Sequence, residues 1–162
     1  RGLGDVYKRQ VLVVNNFLLI NAKIPSESME QTIMTGDRVF GNRLAYVFGE
    51  PERYDIIIFK YPDNEKELFI KRIIGMPGET VEIKDGKVYI NGSEEPLKDS
   101  FTPETPVGDY GPYTVPEDSY FVLGDNRNYS RDSRFWNNPY VAEDKILGKA
   151  VLRYFPGIKL LK

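Results

Sequence analysis

Proline and glycine divide this chain so finely that long helices have little room to form. The 162 residues include eleven prolines and fourteen glycines, and most apolar runs between them are short. Such punctuation is typical of many short strands joined by turns. Hydrophobic residues make up 41% of the chain, so these strands can bury a core, and the length suits one domain with at most a small addition. The sequence therefore predicts a mainly β fold.

Individual strands follow from apolar and β-branched runs. VEIKDGKVYING (81–92) is the clearest hairpin, because Asp85-Gly86 is a two-residue turn signature. A second hairpin is predicted from DIIIFKY (55–61) and LFIKRIIG (68–75), which PDNE (62–65) separates. The remaining predictions are strands around Val39 and at 45–48, 119–126 and 150–156, a type II turn at 76–79, a long surface loop at 91–118 and a short helix at 141–148.

Two residue types are absent, and their absence limits the chemistry. The chain has no cysteine and no histidine, which excludes disulfides, thiolate nucleophiles, histidine bases and the commonest metal ligands. The net charge is −2, so no basic field favours nucleic acid as a partner. A hydrolase built from this chain would need lysine or a carboxylate as its base.

The first ten residues, RGLGDVYKRQ, are interpreted as a non-native scar. DVYKRQ can be encoded by GAT GTG TAT AAG AGA CAG, which resembles the translated transposon end used in sequencing-library preparation. The alternative is a disordered basic N-terminus. We exclude residues 1–10 from fold predictions and expect the natural N-terminus to be missing.

The next run, VLVVNNFLLINAKI (11–24), is apolar but contains three asparagines. It is shorter than the roughly 20 residues that cross a bilayer. Its periodicity favours a core strand, and the alternatives are an interfacial strand or the last turns of a truncated membrane helix.

Ser26 and Ser28 follow this run in KIPSESMEQT (23–32). They suit either a polar turn or a nucleophile placed where the chain leaves a membrane.

Lys71 is a candidate base, because strand alternation places it between Phe69 and Ile73 on one face. Apolar surroundings lower the pKa of a lysine, and a neutral amine beside a serine can act as a general base. Taken alone, the segment fits a lysine that snorkels from a strand edge better.

A third feature is the polar turn LGDNRNYSRDSRFW (123–136). Its hydrogen-bonding groups can order a loop that supports a site, or they can form a solvated turn. Asp125 and Asp132 could also form a carboxylate pair or a cation site, although no regular ligand spacing supports either.

Together, PSESM (25–29), GD (36–37), KRIIGMPGE (71–79) and GDNRNYSRDSR (124–134) resemble the type I signal peptidases in order and spacing. These are membrane-anchored serine–lysine proteases that remove signal peptides from exported proteins. The resemblance runs from about residue 11 to the C-terminus, and the short loop before the last motif is similar to that of Gram-positive members. It implies a signal-peptidase-like fold of antiparallel sheets with short helices, with the N-terminal membrane anchor truncated.

The resemblance also implies roles for single residues. It makes Ser28 the nucleophile and Lys71 the general base, with the Ser26 hydroxyl and the Ser28 N–H forming the oxyanion hole. The supporting positions that it implies are Ser130, which orients the lysine amine, the ion pair of Asp132 and Arg134, and Met29 near the substrate cleft.

Five positions depart from the family's usual pattern without removing a catalytic group. Glu27 stands between the serines where Gly or Thr-Gly is usual, and it can alter the rim of the cleft. The other departures are Asn128-Tyr129 in place of Asp-Asn, Tyr54 before Asp55 and Asn137 after Trp136, the last two where Gly is usual.

By this resemblance, residues 11–22 are the end of the anchor and the first strand, and residues 23–162 are the catalytic domain. We expect a monomer at the cell membrane, with a single span and an extracytoplasmic catalytic domain that contacts lipid. Its substrates would be preprotein signal peptides with small residues before the cut, and it would use no cofactor or metal. The alternatives are a self-cleaving repressor-type serine–lysine protease, a non-enzymatic β-rich surface domain and a carboxylate hydrolase using Asp125 and Asp132.

Overall fold

A computed structural model describes residues 3–13 and 18–162. Within these ranges the chain forms one N-terminal helix, eleven strands and two short 3-10 turns. The helix is α1 (Leu3–Val13), and the 3-10 turns are Arg127–Tyr129 and Glu143–Lys145. The strands are β1 (Leu19–Lys23), β2 (Arg38–Asn42), β3 (Ile56–Tyr61), β4 (Asn64–Gly75), β5 (Thr80–Lys84), β6 (Lys87–Ile90), β7 (Tyr110–Thr114), β8 (Ser119–Leu123), β9 (Val141–Ala142), β10 (Ile146–Phe155) and β11 (Lys159–Leu160).

In the described chain the strands form two antiparallel sheets, as the sequence predicts. The larger sheet has the order β1-β2-β10-β3-β4-β8-β9, with β11 added beside β10. The smaller has the order β6-β5-β7. Strand β10 comes late in the chain and lies between the hairpin β1-β2 and the hairpin β3-β4. It therefore joins the two halves of the larger sheet.

The two predicted hairpins are confirmed. Strands β3 and β4 pair from Ile56↔Arg72 to Lys60↔Leu68. Strands β5 and β6 pair from Val81↔Ile90 to Lys84↔Lys87. Asp85 and Gly86 have φ values of 48° and 73°, the left-handed conformation that both central residues of a type I′ turn require.

Three segment predictions are wrong. Residues 43–47 form a turn in place of a strand at 45–48, because the Asn42 side chain accepts the Leu44 N–H and bends the chain. The helix at 141–148 is a 3-10 turn between β9 and β10, since Val141 and Ile146 pair with neighbouring strands. The loop at 91–118 contains β7, an edge strand that tolerates Pro112.

The run at 11–24 divides between two elements. Its first three residues end α1, residues 14–17 lie outside the described residues, and β1 takes up its last part. The side chains of residues 4–12 are all exposed. The anchor boundary at 11–22 thus stays a prediction, while the core strand is found at β1.

Apolar residues form three buried clusters on either side of the larger sheet and beneath the smaller one. The clusters flank β4 on both faces, because Ile70 belongs to one and Phe69 and Ile73 to another. A third lies between the small sheet and β8. Lys71 and Arg72 therefore emerge from opposite faces of a strand that is buried over its second half.

Candidate active site

The loop between β1 and β2 carries the two serines. Backbone hydrogen bonds from Ile24 N to Asp37 O (2.9 Å) and from Gly36 N to Ile24 O (2.8 Å) close this loop at its base. Within it, residues 28–32 turn sharply, with Ile33 N donating to Met29 O at 2.8 Å. Ser28 is 5% exposed, so its hydroxyl lies at the inner side of the turn.

Lys71 on β4 reaches this hydroxyl. Its Nζ donates to Ser28 Oγ at 2.7 Å and to Ile70 O at 3.1 Å. The lysine is 4% exposed, and burial lowers its pKa to about 8, although the charges of Asp132 and Asp125 act in the opposite direction. The predicted desolvation of Lys71 is present, and Phe69 supplies part of it with its ring centroid 5.3 Å from Nζ.

Ser26 lies at the entrance to the same site. Its Oγ is 3.3 Å from Ser28 Oγ, and unlike Ser28 it is exposed to solvent. The structure thus brings Ser26, Ser28 and Lys71 into one group. A substrate carbonyl approaching Ser28 would lie within reach of the Ser26 hydroxyl.

The polar turn after β8 lies beside the group of Ser26, Ser28 and Lys71 and supports it. Asp132 accepts from Arg134 Nε at 2.8 Å and from Arg134 Nη2 at 2.9 Å, which forms the predicted ion pair. Asp132 also accepts the Gly124 N–H at 3.0 Å. Arg134 in turn donates to the carbonyl of Arg127 at 2.7 Å. These bonds fold the turn back on the end of β8.

Ser130 lies beside Gly124, close to the Ser28 carbonyl. Its hydroxyl is buried, and among the described residues it has no hydrogen-bond partner. Contact between Ser130 and the Lys71 amine is therefore not among the hydrogen bonds of this structure, and the orienting role stays a prediction.

Met29 contributes no surface to the cleft. It is 0% exposed and packs in the core beneath Ser28, where its sulfur accepts the Asp125 N–H at 3.4 Å. Its predicted place near the substrate cleft stays a prediction.

The buried pair of Arg72 and Asp125 is a site feature that we did not predict. Two hydrogen bonds of 2.8 Å join them, and both side chains are 0% exposed. Thr32 also donates to Asp125, at 2.5 Å, which ties the serine loop to the turn after β8. The signal was present in strand alternation, because Arg72 shares a face with Ile70 and Ile74 and a buried arginine needs a carboxylate.

A cleft of about 450 Å³ opens over this group. One wall is formed by the turn 25–28 and the other by residues 67–71 of β4, with Tyr129 and Arg131 at one side. Asp125 and Asp132 each pair with an arginine, which argues against a carboxylate hydrolase. In the part of the chain that the structure describes, no acidic cluster suited to a metal ion is found.

Comparison with known proteins identifies the family. The sequence profile described as "Signal peptidase, peptidase S26" matches residues 8–155. The chain belongs to the signal peptidase family. The predicted serine-type signal peptidase is thereby confirmed.

Relatives agree with this over most of the chain. A signal peptidase I from Leptolyngbya laminosa is 43% identical over 152 residues, which is 90% of this chain and 73% of the relative. One from Bacillus amyloliquefaciens is 40% identical over 153 residues, covering 90% and 78%. The signal peptidases from Leptolyngbya laminosa and Bacillus amyloliquefaciens are about equally similar to this chain. The predicted resemblance to Gram-positive signal peptidases in particular therefore stays a prediction.

A solved signal peptidase has the same fold. The crystal structure of a signal peptidase I from Enterococcus faecalis matches with a TM-score of 0.53 and 37% identity, over 62% of this chain and 97% of that one. The predicted signal-peptidase-like fold of antiparallel sheets is therefore confirmed.

Proposed function

We propose that this chain removes N-terminal signal peptides from exported preproteins, with Ser28 as nucleophile and Lys71 as general base. The observation that carries this proposal is the 2.7 Å contact between Lys71 Nζ and Ser28 Oγ. Both groups are buried at the base of an open cleft. No other pair of a serine and a desolvated lysine occurs among the hydrogen bonds of the described residues.

The lowered pKa of Lys71 makes base catalysis feasible near neutral pH. An ordinary lysine is almost fully charged at pH 7, whereas a lysine with a pKa of about 8 is neutral in a useful fraction of molecules. In the neutral form, the amine lone pair accepts the Ser28 hydroxyl proton. The same group can later return that proton to the leaving amine.

The reaction then follows from these positions. Ser28 Oγ attacks the scissile carbonyl carbon while Lys71 takes the hydroxyl proton, and the Ser26 hydroxyl and the Ser28 N–H bind the oxyanion. Lys71 protonates the departing amine, and the C–N bond breaks to leave an acyl-enzyme. A water molecule attacks the ester, Lys71 accepts its proton, and the Ser28 hydroxyl is restored.

The free edge of β4 suggests how a signal peptide binds. Strand β8 pairs with Arg72, Ile73 and Gly75 of β4, so among the described residues the stretch 67–70 has no partner strand on its cleft side. An extended peptide can add there as a strand, which points alternate side chains toward the wall. The family resemblance implies small residues at the positions one and three before the cut, whose side chains would face this wall.

A membrane site of action and a monomeric state are further parts of the proposal. No helix among the described residues is long and apolar enough to span a bilayer. We propose single-pass anchoring, an extracytoplasmic catalytic domain and contact with lipid, because signal peptides are cut beside a membrane.

Replacement of Ser28 tests the proposal. Purified Ser28→Ala protein should fold normally and cleave no preprotein or fluorogenic signal-peptide substrate. Ser119→Ala is a matched control, because Ser119 is also 5% exposed but donates to Asp118 away from the cleft. Cleavage by Ser28→Ala at the wild-type rate would refute the nucleophile assignment and point to another catalytic group, such as a carboxylate.

A further inference from the structure

Asn126, in the turn after β8, contacts the backbone on both sides of the Glu27–Ser28 peptide unit. Its side-chain Nδ2 donates to Glu27 O at 3.0 Å, and its own N–H donates to Ser28 O at 3.0 Å. Asn126 is 6% exposed. Two hydrogen bonds from one residue thus hold the nucleophile's backbone.

The geometry of the peptide bond explains why the hydrogen bond from Asn126 Nδ2 to Glu27 O affects the nucleophile. A trans peptide group is planar, and its C=O and N–H point in opposite directions. The Glu27 carbonyl and the Ser28 N–H belong to one such group. A donor that fixes the direction of the carbonyl therefore also fixes the direction of the N–H.

The Ser28 N–H is free to act on a substrate. Among the described residues no acceptor is found for it, whereas the Glu27 carbonyl accepts both Glu30 N at 3.0 Å and the Asn126 amide. The carbonyl is therefore held on the protein side. The N–H of the same planar group must point away from that side, and the Ser26 hydroxyl lies 3.3 Å from Ser28 Oγ.

We propose that Asn126 is a positioning residue that aims the Ser28 N–H into the oxyanion hole. This inference rests on the proposed function of Ser28. A donor to the carbonyl also polarises the shared peptide group, so it strengthens the N–H as a donor as well as orienting it. Oxyanion stabilisation depends on such donors being fixed before the reaction.

The first test compares Asn126→Asp with wild type in steady-state cleavage of a signal-peptide substrate. The variant has almost the same shape, but an oxygen replaces the amide donor beside the Glu27 carbonyl. We expect kcat to fall by at least 10-fold, toward the roughly 10²–10³-fold loss that follows removal of an oxyanion donor. KM should change little, because substrate contacts along β4 are untouched.

A second measurement separates positioning from general damage to the fold. A peptide aldehyde forms a tetrahedral adduct with a serine and places an oxygen in the hole, whereas the matching peptide alcohol has no carbonyl carbon for a serine to attack. Asn126→Asp should weaken binding of the aldehyde by the same factor as kcat and leave binding of the alcohol unchanged. Equal weakening of both ligands would overturn the proposal.

Asn128→Asp is the matched control. Asn128 lies two residues further along the same turn, and its Nδ2 donates to Thr105 O at 3.1 Å, away from the serines. We expect wild-type kcat from this variant. If Ser28→Ala is inactive and Asn126→Asp is fully active, the positioning role alone is refuted; if Ser28→Ala is active, the proposed function fails first.

Discussion

Lys71 lies in surroundings that are unusual for a lysine side chain. It is buried at 4% exposure, its amine contacts Ser28 and a backbone carbonyl, and no carboxylate forms an ion pair with it among the described residues. The nearby Asp125 and Asp132 are each committed to an arginine. Their charges still raise the pKa of Lys71, so burial is what favours the neutral amine, and it outweighs them.

The pH dependence of catalysis should report this environment. Activity should fall as pH drops through about 8, because burial lowers the pKa of Lys71 to about that value and only the neutral amine is a base. The chain contains no histidine whose titration could produce the same fall in rate. Rates of peptide cleavage between pH 6 and 10 check this, and a flat profile over that range would contradict it.

Stability should respond to Lys71→Met in the opposite sense to activity. The lysine's folded pKa of about 8 lies below its ordinary 10.5, so between these values the folded state binds fewer protons and stability rises with pH. Below pH 8 both states carry the charge, and its burial costs on the order of 3 kcal/mol. We therefore expect Lys71→Met to be inactive and more stable in urea below pH 8, with the gain shrinking toward pH 10.5. Lys66→Met, exposed on the same strand, should change neither property.

Ser26 supplies the second donor of the proposed oxyanion hole, so its hydroxyl should matter more than its volume. Ser26→Ala should lower kcat by roughly 10²–10³-fold with little change in KM, the usual effect of losing one such donor. Ser26→Thr keeps a hydroxyl and should be milder. An unchanged kcat in Ser26→Ala would mean that the hole is built from other groups.

At the scale of the elements, the site depends on how closely the end of β8 approaches the serine loop. Gly124 follows β8, and a methyl group there would collide with the Ser130 side chain and the Ser28 carbonyl. Its N–H is held by Asp132 and its carbonyl by Arg127, so neither side can give way without disturbing the turn. A glycine at this position lets the two elements touch.

Gly124→Ala should therefore displace the Ser28 backbone and reduce kcat/KM by roughly 10²-fold, as expected for a shift of about 1 Å in a catalytic group. Gly75→Ala is the control, because its methyl group would meet Val81 at 2.6 Å and Phe121 at 2.8 Å in the core away from the cleft. We expect Gly75→Ala to lose about 1–3 kcal/mol of stability while the folded fraction keeps wild-type activity. Equal specific activity in the two folded variants would contradict this role of Gly124.

Elements with a strong local pattern could be predicted, and those defined by distant partners could not. Asp85-Gly86 sets its hairpin by turn chemistry alone, and alternation correctly placed Lys71 and Arg72 on opposite faces. The sequence did not predict strand β7, because Gly111 and Pro112 are residue types that are rare in strands. Its pairing with β5 makes it a strand. In the site, the serines and Lys71 could be proposed from motifs, but Asn126 could not, since its role depends on contact with a loop about a hundred residues away.

For the molecule as a whole, α1 and β11 lie at opposite ends of the described chain and differ in what they contact. The described side chains of α1 are all exposed. Strand β11 pairs with β10, Leu161 beyond it is 8% exposed, and the Lys162 carbonyl accepts from Arg72 at 3.1 Å. The C-terminal segment with β11 therefore contributes to the packing of the fold, whereas the described side chains of α1 do not.

Removing residues 1–10, interpreted as a scar, should change neither activity nor the melting temperature by more than about 2 °C, since about 1 kcal/mol corresponds to 2–4 °C in a domain of this size. Removing residues 159–162 is the contrasting control and should lower the melting temperature measurably, because it exposes the β10 edge and frees Arg72. A large drop on removal of residues 1–10 would show that the segment belongs to the folded protein.

The position of β10 has a consequence for when the protein becomes active during its own synthesis. The proposed nucleophile follows β1 and the proposed base lies on β4, yet the hairpins that carry them are joined in the sheet only through β10, residues 146–155. A ribosome that has released the chain only up to residue 145 has already made both groups, but the strand that aligns them has not yet emerged. Proteolytic capability would thus arise only once residues 146–155 have joined the sheet, so a nascent chain without β10 could not cut its neighbours or itself.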